Sequence, residues 1–92
     1  MATVKVKPEE VRIGDIVMDR FHTVRVEKID PNSRQVYRVR HNRKHTGCWS
    51  MDKNRKVISE KFVNVFQFGQ WSDRLGFIYV ECAADQRVTV VR

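Results

Sequence analysis

The sequence predicts a small all-β domain: a barrel, or a strongly bent antiparallel sheet, of five to seven short strands with one long basic loop. Three observations carry that prediction. Apolar and polar residues alternate at period two in most segments, as in Thr3-Val4-Lys5-Val6 and in Gln35-Val36-Tyr37-Arg38-Val39-Arg40-His41. No window keeps an apolar period of about 3.6 residues for more than roughly two turns. The strand-like segments recur at intervals of about 8–14 residues between turn signals, which is the rhythm of small β domains. With 92 residues, 41% hydrophobic and 10% aromatic, the composition is that of one globular domain spanning 1–92. A chain of this size supports one core and no deep catalytic cleft beside it.

The elements follow in order. After Thr3–Val6, Pro8-Glu9-Glu10-Val11 suits a single short turn, because proline is tolerated where a helical turn begins. A Gly14-Asp15 turn leads into a strand ending at Ile16-Val17-Met18. Residues 23–29 begin with strict alternation and slip phase at Lys28-Ile29, where a bulge is expected. Asp30-Pro31-Asn32-Ser33 reads as a hairpin connection, with proline suited to the second turn position and asparagine to the left-handed region. The returning strand is 35–41. Further strands are expected at Phe62–Phe68, Phe77–Cys82 and Arg87–Val91, with Ala83-Ala84-Asp85-Gln86 joining the last two as a hairpin. Residues 42–61 are turn-rich and polar, interrupted by Cys48-Trp49-Ser50-Met51, and are read as a long, basic, mobile loop. The aromatic residues Phe62, Phe66, Phe68, Trp71, Phe77 and Tyr79 are assigned to the core; with hydrophobes on both faces, strand 62–68 is either central and covered on both sides or supplies a homodimer interface.

The run Glu10-Val11-Arg12-Ile13-Gly14-Asp15-Ile16-Val17, followed by a strand and a tight connection, resembles the opening of SH3-like β-barrels of the KOW and Tudor type. The resemblance covers residues 8–40. It implies an architecture and carries over no functional residue.

The charge pattern points to function. The formal net charge of +7 resides in residues 34–61, where nine Lys and Arg are opposed by Asp52 and Glu60 alone; the rest of the chain is balanced. Such a concentrated field attracts polyanions, since each neutralised phosphate releases condensed counterions. Arg38 and Arg40, at i and i+2 on one sheet face, stand about 7 Å apart, near the phosphate spacing of a nucleic-acid strand. Arg43, Lys44, Lys53, Arg55 and Lys56 add cations in two turns, and Trp49 between them offers a ring for base stacking, as does Tyr37. The plainer reading of these features is a solvated basic face with Trp49 as a core anchor. Solubility, however, asks for dispersed charge, and here the excess is local. The expected function is therefore non-catalytic nucleic-acid binding, DNA or RNA, mainly through phosphates and with low sequence specificity. The alternative is a small bacterial or virus-encoded interaction module that docks this face on an acidic protein.

Other chemistries find less support. His41-x3-His45-x2-Cys48 has a spacing that zinc could use, with Cys82 or His22 as a fourth ligand, but there is no Cys-x2-Cys pair and cations surround the histidines. No metal or cofactor is expected. Cys48 near His45 imitates a nucleophile–base pair, and Asp15 and Asp19 a carboxylate pair, without a partner group to complete either. The one enzyme class compatible with the composition is a small RNA-cleaving toxin, whose signature is not found. Short apolar runs, the lack of an export-type leader and only two cysteines, expected as free thiols, point to the cytoplasm, or to a host cytoplasm for a virus-encoded chain.

Overall fold

The computed structural model describes residues 2–41 and 57–92, with His41 described in its backbone only. Seven strands form two antiparallel sheets: β1 (Thr3–Val6), β2 (Ile16–Met18), β3 (Thr23–Arg25), β4 (Lys28–His41), β5 (Val57–Ser72), β6 (Gly76–Ala83) and β7 (Val88–Val91). The first sheet runs β1-β7-β2-β3 and the second β4-β5-β6, and neither closes into a barrel. Of the two expected forms, the bent open sheet is the one observed.

Local chemistry explains the first sheet. Pro8 opens a single 3-10 turn over Pro8–Glu10, closed when the Lys7 amide donates to Glu10 Oε2 at 3.3 Å. The next turn requires Gly14, whose φ of 93° lies in the left-handed region. There the Arg12 amide donates to Asp15 Oδ2 at 3.0 Å, and the Gly14 amide donates to the Val26 carbonyl at 2.8 Å. Between β2 and β3, Asp19 Oδ1 accepts from the amides of Phe21 and His22 at 2.7 and 2.6 Å, and the Asp19 amide donates to the His22 carbonyl at 2.9 Å, so side chain and backbone close the connection together.

Four sequence expectations change. The segment 23–29 is not one strand: β3 ends at Arg25, and the phase slip at Lys28-Ile29 marks the passage into the second sheet. Asp30-Pro31-Asn32-Ser33 is not a hairpin but a bulge within β4, which pairs with β5 on both sides of it (Asp30↔Gln67, then Arg34↔Val65). Proline is tolerated there because β4 is an edge strand, and Asp30 Oδ1 accepts the Asn32 amide at 2.9 Å. Residues 57–61 are not loop but the first part of β5, since Val39↔Glu60 and Arg40↔Ser59 are paired. Ala83-Ala84-Asp85-Gln86 does not form a hairpin either: β6 pairs with β5, whereas β7 crosses to the other sheet and pairs with β1 and β2.

The core lies between the two sheets. Val6, Val17, Val24, Val26, Val88 and Val90 from the first meet Phe68, Val80 and Cys82 from the second, with Ile29, Phe66 and Ile78 at its margin. Phe68 is fully buried. Sheet two extends well past this core. β6 stops opposite Val65, so among the described residues β4 and β5 continue as a two-stranded arm over residues 35–41 and 57–64, with Arg34 at its base. At about 3.3 Å per residue the arm is roughly 25 Å long. It accounts for extents of 52 × 27 × 25 Å and for a radius of gyration of 17.3 Å, against about 12 Å for a compact chain of this length.

Candidate nucleic-acid interface

Strand alternation gives the arm two unlike faces. Directly paired residues share a face, so Arg34, Val36, Arg38 and Arg40 lie with Ser59, Lys61, Val63 and Val65. The opposite face carries Gln35, Tyr37 and Val39 with Glu60, Phe62 and Asn64. The ribbon is thus cationic on one side and mixed on the other, where Tyr37, Val39 and Phe62 stand beside Gln35, Asn64 and Glu60.

On the cationic face two arginines reach across β5 to acids that the sequence places far away. Arg34 Nε donates to Glu81 Oε2 at 2.7 Å, and Arg38 to Asp85 at 3.3 and 3.5 Å. Beneath them Val63, Val65 and Ala83 form a second small buried cluster with Val36, on the side of the sheet away from the main core. Among the described residues no further layer of sheet covers this cluster, and Arg34 and Arg38, on the same face, keep 57% and 39% of their side chains exposed. Arg40 and Lys61 are exposed, and among the described residues no carboxylate pairs with either.

Of the site residues expected from sequence, Arg38 and Arg40 therefore share this face, Arg38 already engaged with Asp85 and Arg40 unpaired. Arg43, Lys44, Trp49, Lys53, Arg55 and Lys56, like His45 and Cys48, lie outside the described residues, in the stretch that joins the end of β4 to the start of β5. Tyr37 cannot stack a base held by Arg38 and Arg40, because it lies on the other face, tilted 47° against Phe62 with ring centroids 5.2 Å apart. The Glu60 carboxylate accepts from its hydroxyl and raises its pKa above the usual tyrosine value.

The aromatic residues also depart from expectation. Phe68 belongs to the core and Phe66 to its margin, but Phe62 is 68% exposed and Trp71 63%. Trp71 pairs with Phe77, and Phe77 and Tyr79 are likewise exposed, on the pleat face that carries the arm cations further along β5. A signal for this was present: in 77–82 the aliphatic and thiol side chains Ile78, Val80 and Cys82 share the core-facing phase, with Ile78 partly buried, so the larger rings alternate outward.

An open cleft of about 440 Å³ lies between the β2–β3 connection and β6, lined by Asp19, Phe21, His22, Phe77, Ile78, Tyr79 and Glu81. Its acids are committed, Asp19 to backbone amides and Glu81 to Arg34, so it offers no paired carboxylates for acid–base chemistry. Among the described residues no three His, Cys, Asp or Glu side chains gather into a metal-sized cluster, and no helix is long and apolar enough to cross a membrane. Cys82 is a free, buried thiol whose pKa is raised by burial and by the nearby Asp85 charge. Comparison with known proteins returns no matching family model, curated protein or solved structure.

Proposed function

We propose that this chain binds nucleic acid, without catalysis, through the cationic face of its β4–β5 arm. One observation carries the reading: a projecting two-stranded ribbon sorts Arg34, Arg38, Arg40 and Lys61 onto a single face. The stretch joining its strands adds five cations against the single Asp52. A two-stranded ribbon is of a width that the DNA major groove admits, and cations two residues apart match the spacing of successive phosphates. Phosphate contacts position without specifying, so sequence preference is weak. A reducing compartment such as the cytoplasm suits the free thiol of Cys82.

The test is fluorescence anisotropy of labelled random-sequence duplex DNA, single-stranded DNA and RNA at 50 mM salt, with the intact chain and an Arg40→Ala/Lys61→Ala variant. Micromolar or tighter binding, weakened roughly tenfold or more for every sequence alike in the variant, supports the reading. Absence of binding to all three overturns it and directs the same face to an acidic protein.

A further inference from the structure

We infer that the outer face of the three-stranded sheet is a stacking platform for unpaired bases, so that the arm takes single-stranded nucleic acid in preference to duplex. This rests on the nucleic-acid reading and adds to it the form of the polymer.

Alternation puts Trp71 and Gly69 of β5 on the face turned away from the main core, with Phe77 and Tyr79 of β6 beside them. The three rings are open to solvent, Trp71 at 63%, Tyr79 at 43% and Phe77 at 41%. Trp71 is paired directly with Phe77, whose ring centroid stands 6.1 Å from that of Tyr79. Phe77 has a structural task, since its ring lies over Gly69. Trp71 and Tyr79 belong to neither buried cluster. Phe21, 81% exposed, lines the same open cleft as Phe77 and Tyr79 and carries the rings past the sheet edge. Aromatic rings accept any base, because every base has a π-face, but a base paired inside a duplex is out of their reach.

The rings share their pleat face with the cations. Lys28, exposed and with no carboxylate paired to it among the described residues, stands on the rung of Gly69 and Tyr79. Two rungs further on, Arg34 opens the cationic side of the arm. The acids on the rung between are engaged, Asp30 by the Asn32 amide and Glu81 by Arg34. From the Trp71 rung to the Arg40 rung the face runs roughly 40 Å, room for a strand of about six nucleotides, within the range that small single-strand-binding domains cover. A second copy seated here would set Lys28, Arg34, Arg38, Arg40 and Lys61 against their own counterparts, whereas a polyanion neutralises them. Residues 42–56, tethered to His41 and Val57, reach at most about 30 Å from the arm tip, and Trp71 and Tyr79 stand roughly 40 Å or more along β5 from Val57.

Anisotropy of a labelled oligodeoxythymidine of about 20 nucleotides and of a random-sequence duplex of the same length, at one salt concentration, tests this. The parent should bind the single strand at least about fivefold more tightly than the duplex. Trp71→Leu, which keeps bulk without a π-face, and Tyr79→Ala should each raise the single-strand dissociation constant about fivefold or more, and the duplex value less than about twofold. Trp71→Phe should retain most of the single-strand affinity. Phe62→Ala, which removes an exposed ring from the opposite face of β5, should match the parent on both ligands, with circular dichroism checking that each variant folds. A parent that prefers duplex overturns the inference while the nucleic-acid reading stands, as do Trp71→Leu and Tyr79→Ala variants that lose no single-strand affinity or lose as much for duplex. Absence of binding to both ligands overturns that reading and the inference together.

Discussion

Neutralising Glu81 and Asp85 together should strengthen nucleic-acid binding, because these two acids hold Arg34 and Arg38 on the face proposed to meet phosphate. Glu81→Gln and Asp85→Asn keep the shape and an acceptor oxygen but remove the charges. Each guanidinium so released can neutralise one phosphate, which steepens the dependence of log K on log salt by about 0.9 for duplex DNA. At about 0.15 M salt that corresponds to roughly 0.7 log units per contact, or fivefold, and to about 25-fold for the pair. The arginine side chains are 57% and 39% exposed, so each ion pair is worth only about 0–1 kcal/mol to folding and the fold survives its loss. The assay is anisotropy of a labelled 20–30-mer duplex at several salt concentrations, with circular dichroism as the check on folding. A folded double variant with the parental affinity and the parental slope would refute the placement of phosphate beside Arg34 and Arg38.

Three further outcomes follow from the packing. Phe68→Ala, which empties a fully buried site between the sheets, should cost about 3–5 kcal/mol. That is a large part of the roughly 5–14 kcal/mol a chain of this length holds, and a urea-midpoint loss below about 1 kcal/mol would place the core elsewhere. Gly69→Ala should destabilise by about 1 kcal/mol and expose Phe77 further, since the added methyl would fall within the Phe77 ring that lies over this glycine; an unchanged denaturant midpoint would contradict that. Asp15 is held below the ordinary carboxylate value, first by the Arg12 amide and also by the Arg92 guanidinium at 3.1 Å, with partial burial opposing. Because the folded pKa is the lower one, this stabilisation is present above pH ~4 and is lost as pH falls through and below that value. Asp15→Asn should thus cost about 1 kcal/mol at pH 7 and almost nothing at pH ~2, and a difference constant with pH would exclude the electrostatic cause.

Local pattern made most strands legible. Alternation in Thr3–Val6, 35–41 and 62–68 marked residues that are strand in the structure, and the Gly14-Asp15 pair marked a turn that does need positive φ. The sheet partners were not legible, because they are set by contacts distant in sequence. Asp30–Ser33 has the composition of a reverse turn, yet the chain runs on, since Arg34–Arg40 find β5 residues to pair with on the far side of the bulge. Val57–Lys61 looked like loop because two charged residues and a serine interrupt its apolar pattern; exposure on both faces of the arm leaves that pattern with nothing to enforce it. The cations of the arm were visible in sequence, but their counter-charges were not, since Glu81 and Asp85 each stand 47 residues from their arginines. The charge excess assigned to 34–61 is therefore partly neutralised in space. The exposed aromatics escaped for a related reason: hydrophobicity alone assigns Phe62 and Trp71 to a core, whereas Phe62 lies on the core face beyond the first sheet and Trp71 on the face of β5 turned away from it.

The central claim, an arm that grips phosphates, is tested most directly by the salt dependence of duplex DNA binding. Four to six contacts predict a slope of log K against log salt of about −3.6 to −5.4 between 50 and 300 mM, and the same slope on unrelated sequences. A slope shallower than about −2, or binding confined to one sequence, would contradict it.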